Sequence, residues 1–359
     1  MRVGIVGGGQ LARMLALAGY PLGLRFLILE PAPDACAGQV APLLVGAYDD
    51  PQRLAELAAQ VEVVTFDFEN VPAAAAEILA ARVPVYPPPR ALAVAQDRLS
   101  EKILFRELGV PTPPFQAVDS LLELRAAVAE IGLPAVLKTR RLGYDGKGQR
   151  VLREADDVEP AWQALGGVPL ILEGFVPFRR EVSIIAARGR DGALAFYPLT
   201  ENRHEGGILR LSRAPCTARE LETQARDCAR RLLERLDYVG VLAIEFFELD
   251  GELMANEMAP RVHNSGHWTI EGAETSQFEN HLRAVCGLPL GSTAARGHCV
   301  MLNFIGAMPA RESFLAVPGA HYHDYGKEPR AGRKVGHGTL RADDAAALEA
   351  ALARLGGAG

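Results

Sequence analysis

Cysteine is scarce and unpatterned in this chain: there are five, at positions 36, 216, 228, 286 and 299, with no Cys-x-x-Cys pair. An odd, scattered set excludes a disulfide framework and reads as reduced, buried thiols of a cytoplasmic protein. Positive charge is not in excess either. Lys and Arg number 38 against 44 Asp and Glu, a net charge of −6. That argues against nucleic acid or an anionic membrane as the main partner, while leaving room for a local basic pocket. No apolar run reaches the ~18–20 residues of a membrane span. No charged n-region followed by a long apolar stretch marks a signal peptide. Internal repeats and low-complexity tails are absent.

What is present fits two or three domains: 359 residues, 49% of them hydrophobic, at roughly 100–200 residues per domain. Arg2–Val6 reads as a strand, Gln10–Gly19 as a helix and Arg25–Glu30 as a second strand, a βαβ start. A helix over 51–60, a strand over 62–66 and an alanine-rich helix over 72–82 follow. The prolines at 84 and 87–89 then set a first boundary. Beyond it, Asp97–Leu108 and Ser120–Ile131 read as capped helices. Ala135–Lys138 and Leu170–Glu173 read as strands. Arg190-Asp191-Gly192 and Asp250-Gly251 mark two hairpins. Helices are expected over 218–236 and 343–355. An α/β start followed by hairpins predicts a mixed fold, α/β and then α+β.

Gly7-Gly8-Gly9-Gln10-Leu11-Ala12 fits G-x-G-x-x-[GA] after a strand, with Glu30 ending the next strand. Alone this suggests a nicotinamide-dependent oxidoreductase. A substrate phosphate at the helix N-terminus, or a tight turn with no ligand, satisfies the same pattern, and both rank above a dinucleotide because stronger signals lie elsewhere. One is the segment from Leu137 to Gln149, where a strand delivers Lys138 into a loop with Gly143, Gly146 and Gly148. Such loops offer backbone N–H groups to phosphates. The others are Glu245 and Glu257, each in an apolar strand beside the Asp250-Gly251 turn. Two such carboxylates are costly without a cation, and Mg²⁺ commonly takes one or two carboxylates plus substrate phosphates. A three-residue loop would set them opposite each other, whereas a strict two-residue turn would send Glu257 to the other face. The metal reading therefore requires the odd loop. Arg261 to Trp268 is dense in polar donors just beyond Glu257, as suits substrate binding. His263 and His267 are four apart with no helix indicated, so a zinc site is weakly supported.

These motifs, in this order and over nearly the whole chain, resemble the ATP-grasp superfamily. Within it they resemble the N5-carboxyaminoimidazole ribonucleotide synthetase family, the run from His263 to Trp268 most specifically. The resemblance implies an ATP-grasp fold with a Rossmann-like N-terminal domain over 1–95. The ATP-grasp domain would span 96–295, with a lid at about 112–172, and a small β-rich C-terminal domain would span 296–359. It implies a ligase of purine biosynthesis that uses ATP and bicarbonate to carboxylate 5-aminoimidazole ribonucleotide through carboxyphosphate, with Mg²⁺ or Mn²⁺, as a homodimer. Carried over by motif, Arg98, Lys138 and the loop Gly143, Tyr144, Asp145, Gly146, Lys147, Gly148 and Gln149 face the ATP phosphates. Glu173, Gly174, Phe175 and Val176 form the adenine hinge. Glu181 takes the ribose, with His204, Asn256 and Glu257 beside the nucleotide, and Glu245 and Glu257 hold the metal. Glu69, Tyr144, Lys147, Arg261, His263, Asn264, Lys327 and Arg333 face ribonucleotide or bicarbonate, and Lys138, Arg261, His263 and Asn264 make the catalytic group. The chain departs from its relatives with Asp67 where Glu is frequent and Ala12 where Gly is frequent. A formate-dependent glycinamide ribonucleotide transformylase and a non-catalytic nucleotide-binding regulator are the remaining alternatives.

Overall fold

The computed structural model describes residues 1–143 and 146–356. The N-terminal unit comprises β1 (Arg2–Val6), α1 (Gln10–Gly19), β2 (Arg25–Glu30), β3 (Leu43–Val45), α2 (Pro51–Gln60), β4 (Val63–Phe66) and α3 (Ala73–Ala80). Its four strands pair in parallel in the order β3-β2-β1-β4. The strands read as unbroken apolar runs because helices cover both faces of a parallel sheet. Helix α2 starts where the Asp50 carboxylate accepts the N–H groups of Gln52 and Arg53.

Two helices lead out of this unit: α4 (Pro89–Ala95) and α5 (Arg98–Glu107). The proline cluster expected only to break the chain also starts α4, since Pro89 sits at its first turn. A second four-stranded sheet, ordered β5-β8-β6-β7, follows. It is built from β5 (Phe115–Val118), α6 (Leu121–Ile131), β6 (Ala135–Thr139), β7 (Gln149–Leu152), α7 (Val158–Leu165) and β8 (Leu170–Gly174). Strands β6 and β7 are antiparallel neighbours, Lys138 opposite Gln149, so the glycine loop is the tip of their hairpin.

The central sheet has nine strands. Eight run in the order β14-β13-β9-β11-β12-β15-β17-β16, and β10 pairs with β9. These are β9 (Arg180–Arg188), β10 (Leu194–Phe196), β11 (Thr200–Glu205), β12 (Ile208–Ala214), β13 (Gly240–Leu249), β14 (Glu252–Ala259), β15 (His298–Ile305), β16 (Ala320–Asp324) and β17 (Lys334–Ala342). The C-terminal strands join it directly, β15 pairing with β12. The long helix α8 (Arg219–Arg235) covers one face, its buried Leu221, Ala225, Cys228, Ala229 and Leu232 falling on one helical stripe. Short α9 (Thr269–Gly272) and α10 (Gln277–Cys286) cover the other, and α11 (Arg311–Leu315) and α12 (Ala345–Gly356) pack on the C-terminal strands. His281 on α10 ties the units together: its Nδ1 accepts the Val241 N–H at 3.0 Å and its Nε2 lies 2.7 Å from Thr65 Oγ1 on β4. All five cysteines are free and buried.

Candidate active site

A cleft of about 580 Å³ draws its walls from the N-terminal unit, the β6–β7 hairpin and the central sheet. At its N-terminal edge the glycine turn has already spent its donors. Gly8 N–H donates to Glu30 Oε2 at 2.7 Å, Gly9 N–H to Asp67 Oδ2 at 2.9 Å and Ala12 N–H to Asp67 Oδ1 at 2.6 Å. A Cβ on Gly9 would lie 2.5 Å from Asp67 Oδ2, so the glycine is there for the carboxylate. A protein carboxylate thus takes part of the helix N-terminus, while Gln10 and Leu11 of the same turn line the cleft. Glu30 is engaged by Gly8 and by the Tyr48 hydroxyl at 2.6 Å. Burial raises the Asp67 carboxyl above its ordinary range even though two backbone donors and Lys327 oppose the shift.

The β6–β7 hairpin differs. Gly146 and Gly148 adopt φ of +74° and +71°, and Thr139 N–H donates to Gly148 O across the loop. A Cβ on Gly146 would stand 2.9 Å from Gly206 O, at the turn between β11 and β12. Gly143, Gly146, Lys147 and Gln149 line the cleft, and Gly148 shapes the loop. The expectations for Tyr144 and Asp145 lie outside the described residues.

Below the loop, Lys138 Nζ lies 3.0 Å and Lys102 Nζ 3.3 Å from the same Glu173 oxygen. Burial opposes the Glu173 charge, but Lys138, Lys102 and Arg98 hold its carboxyl down to about 2. Glu173 opens the segment expected to form the adenine hinge, and Gly174, Phe175 and Val176 line the cleft with it. Here its carboxylate is a clamp that sets two ammonium groups under the loop. The slot beside it is apolar, walled by Val136, Val151, Phe175, Val176, Phe178 and Phe247. Phe178 stacks on Phe247 with centroids 4.8 Å apart and planes 11° from parallel. Phe175 and Phe178 remain 39% and 41% exposed, a surface suited to a flat heterocycle. At the slot's end, His204 Nδ1 lies 2.8 Å from Glu181 Oε2.

The hairpin carboxylates face each other, but not through the expected loop. The turn is the two-residue Asp250-Gly251, with φ of +53° and +83°, and Leu249 opposes Glu252. Register then slips by one residue between Glu245 and Phe246, so that Ala255 faces Phe246 and Glu257 faces Glu245. A β-bulge at Asn256 therefore does what an odd loop was expected to do. Bulges commonly re-aim side chains beside active sites. The bulge also leaves Asn256 Oδ1 buried without a partner, on the cleft wall. Arg98 Nη1 pairs with Glu257 Oε2 at 2.8 Å. Burial raises the Glu245 carboxyl, reinforced by the Glu257 charge, whereas Arg98 holds Glu257 below its ordinary range despite burial. Two facing carboxylates with an orphaned amide oxygen fit a divalent cation. Among the described residues no three His, Cys, Asp or Glu side chains gather as a metal cage, so such a cation would complete its shell from phosphate oxygens and water.

Beyond the carboxylates, Arg261 makes a forked pair with Glu69, its Nη2 donating to Oε1 at 3.0 Å and its Nε to Oε2. His263 Nε2 lies 3.3 Å from Glu245 Oε1. Burial and then the Arg261 charge press the His263 imidazole down to about 3, so it is neutral. Asn264 exchanges amide hydrogen bonds with Asn303 on β15, at 2.9 and 2.7 Å. His267 sits apart from the cleft, buried 4.9 Å from the His337 ring and 5.5 Å from Phe278. Lys327 meets the cleft through Gln10, to which it donates a hydrogen bond. Arg333 is off the lining altogether and donates to Glu328 O at 3.2 Å, while its neighbour Lys334 lines the cleft.

Sequence reasoning passed over Gln10, Lys334, Glu101 and Lys102. For the last two a signal existed. Arg98, Glu101 and Lys102 are spaced i, i+3, i+4 on α5, one helical face, and a charged triplet on the face that packs against β14 needs partners. Glu101 accepts the Met258 N–H at 2.6 Å, and burial followed by the Glu257 charge lifts its carboxyl to about 8.

Comparison with known proteins agrees along the whole chain. Residues 1–96 match a ribonucleotide synthetase preATP-grasp domain, 103–278 an ATP-grasp domain, and 299–351 a phosphoribosylaminoimidazole carboxylase C-terminal domain. N5-carboxyaminoimidazole ribonucleotide synthase of Pseudomonas aeruginosa is 59% identical over 99% of this chain and 98% of its own length. The crystal structure of the corresponding synthetase from Thermus thermophilus is 60% identical, with a TM-score of 0.95 over 98% of this chain and 97% of that one. The synthase from Aspergillus clavatus, solved with ADP and 5-aminoimidazole ribonucleotide, is 30% identical, with a TM-score of 0.92 over 99% and 98%.

Proposed function

We infer the residue roles from a premise those matches establish: the chain belongs to the N5-carboxyaminoimidazole ribonucleotide synthases, ligases of the ATP-grasp fold. It is an ATP-dependent ligase of purine biosynthesis that carboxylates 5-aminoimidazole ribonucleotide to its N5-carboxy form. The remaining assignments are proposals. Residues 1–95 supply one wall for the ribonucleotide, 96–295 carry the nucleotide under a lid at about 112–172, and 296–359 close the ribonucleotide side. The adenine lies in the slot of Val136, Phe175, Val176 and Phe178, its ribose toward Glu181 and His204. Lys138 and Arg98 meet the triphosphate below the Gly143–Gln149 loop. Glu245 and Glu257 hold Mg²⁺ or Mn²⁺, which neutralises phosphate charge.

The observation that carries this reading is the convergence of three things in one cleft: the Lys138–Glu173–Lys102 clamp, the bulge that sets Glu245 against Glu257, and the Arg261–Glu69 fork with His263. Bicarbonate oxygen attacks the γ-phosphorus and ADP leaves. The amine of the imidazole then takes the carboxyl carbon and phosphate leaves. With no protein nucleophile needed, positioning and charge neutralisation dominate. Arg261, Asn264 and Lys334 face the anionic reactants, and Lys327 supports that side through Gln10. We also propose a cytoplasmic homodimer; among the described residues no helix is long and apolar enough to cross a membrane.

The test is ADP release with Mg-ATP, with and without bicarbonate and 5-aminoimidazole ribonucleotide, and with formate and glycinamide ribonucleotide as controls. Strong stimulation by the imidazole substrate is expected. Turnover on the formate pair alone would overturn the reading, as would ATP binding without turnover on either.

A further inference from the structure

A line of buried polar side chains runs from the interior of the central sheet to His263. Ser212 Oγ donates to Asn202 Oδ1 at 2.7 Å, Asn202 Nδ2 donates to Ser183 Oγ at 2.9 Å, and Ser183 Oγ donates to Ser265 Oγ at 2.7 Å. Ser265 Oγ then lies 2.9 Å from His263 Nδ1. The line crosses β12, β11 and β9, where Asn202 faces Ser212 across one strand pair. Ser183, Ser212 and Ser265 are fully buried and Asn202 nearly so. The line is shut off from bulk solvent, and its members satisfy one another through the hydrogen bonds just given.

The order of protons along it is set from both ends. Asn202 has one accepting and one donating end, and its donating end points at Ser183, so the Ser183 hydrogen goes onward to Ser265. At the far end the backbone N–H of Ser265 also donates to His263 Nδ1, at 3.3 Å. A backbone N–H has no alternative role, so Nδ1 is bare and the Ser265 hydroxyl donates to it as well. In a neutral imidazole the single proton is then on Nε2, the atom 3.3 Å from Glu245 Oε1 on the cleft wall. The backbone that carries the ring is fixed: Gln277 accepts the His263 backbone N–H at 2.9 Å and donates to His263 O at 2.6 Å. A Cβ on Gly266 would collide with that same amide at 2.6 Å.

We propose that Ser212, Asn202, Ser183 and Ser265 form a proton-ordered relay that locks His263 as its Nε2–H tautomer, so that a donor faces Glu245 and the anionic oxygens held in the cleft. This rests on the placement of His263 in the ligase site argued above. The four relay members are positioning residues; they touch neither nucleotide nor ribonucleotide. No bond is made or broken in their action. What they fix is which ring nitrogen faces the reactants.

The experiment is ¹⁵N NMR of protein labelled at histidine, with the His263 ring signals assigned by their loss in His263→Gln. Protonated Nε2 and bare Nδ1 are expected in the wild type, without ligands. A protonated Nδ1 would overturn the proposal whatever the variants do. Ser183→Ala removes the donor to Ser265 and should yield a tautomer mixture, with kcat down about 10-fold and KM for ATP unchanged. Ser183→Thr, which keeps the hydroxyl, should restore both. An unaltered His263 spectrum in Ser183→Ala would show that the backbone N–H alone sets the tautomer and would sink the relay. If wild-type protein shows the Nε2–H form but no turnover with 5-aminoimidazole ribonucleotide, the relay stands and the reaction assignment fails.

Discussion

The chain has two glycine turns that look alike in sequence and end in opposite conditions. Gly7–Gly9 follows β1 and opens α1; the loop from Gly143 to Gln149 joins β6 and β7. Each offers backbone N–H groups near the same cleft. In the first, Glu30 and Asp67 take the Gly8, Gly9 and Ala12 donors. The turn is complete as a piece of folded protein. In the second, Gly143, Gly146, Lys147 and Gln149 line the cleft that Lys138 also lines, and Thr139 N–H donates to Gly148 O. Glycine supplies backbone freedom and close approach in both places. What decides function is whether the protein already holds a carboxylate against the amides. Asp67 is that carboxylate, and it lies more than fifty residues away from the turn it caps.

The comparison requires that function on the hairpin side depend on a nucleotide and its cation. Glu257→Gln keeps the shape of the bulge but removes one of two facing negative charges. Turnover should fall by about 10²–10³-fold and lose its dependence on Mg²⁺, read as ADP release across a Mg²⁺ titration. Wild-type turnover would remove the carboxylates from the mechanism. A matched pair sharpens the contrast. Gly7→Ala puts a Cβ 2.8 Å from Asp67 Cβ at a φ of +102°, so it should lower folding stability by at least roughly 1–2 kcal/mol, seen in the urea midpoint. Gly146→Ala, at φ +74° with Gly206 O 2.9 Å from the new Cβ, meets strain of the same kind, but at a hairpin tip on the cleft, so its larger effect should fall on nucleotide binding and not on that midpoint. It should raise KM for ATP by about 5–30-fold, the same energy read as binding. If the two variants exchanged their effects, the distinction between the turns would collapse.

Much of this was legible in the chain. The βαβ start, the hairpins and helix α8 followed from apolar periodicity and turn residues, and Lys138, Glu245 and Glu257 stood out as charges in apolar strands. Three features were not legible, each because it is tertiary. The bulge at Asn256 costs one residue of register, and no local pattern around 250–257 distinguishes it from a longer loop. Asp67 reads as a polar residue after a strand until the fold sets it on α1. Lys102 shows in sequence only as one of a charged triplet on a helical face, and its partner is hidden until β8 brings Glu173 within 3.3 Å. Glu173 carries the motif of the adenine hinge, and the fold adds two lysines on its carboxylate.

The smallest effect tests whether the N-terminal turn belongs to one rigid unit with the central sheet. Thr65, two residues before Asp67, meets His281, whose Nδ1 accepts the Val241 N–H. Burial presses the His281 imidazole down to about 4, below the ordinary value near 6.5 that it regains on unfolding. The sign follows from proton counts. Between about pH 6.5 and 4 the unfolded chain binds a proton at this histidine and the native protein does not. Stability from this group is therefore complete above about pH 6.5, declines as pH falls through that window, and levels off below about 4. The slope is at most about 1.4 kcal/mol per pH unit for one such group. His263, His267 and His337 are also buried with lowered values and add to the total decline. Urea midpoints across this range should thus fall more shallowly in His281→Gln than in wild type, by one histidine's share. Gly146→Ala should follow the wild-type slope, because the hairpin tip takes no part in that contact. Equal slopes in His281→Gln and wild type would mean that the Thr65–His281–Val241 link opens before the fold does, and that the N-terminal turn moves independently of the sheet.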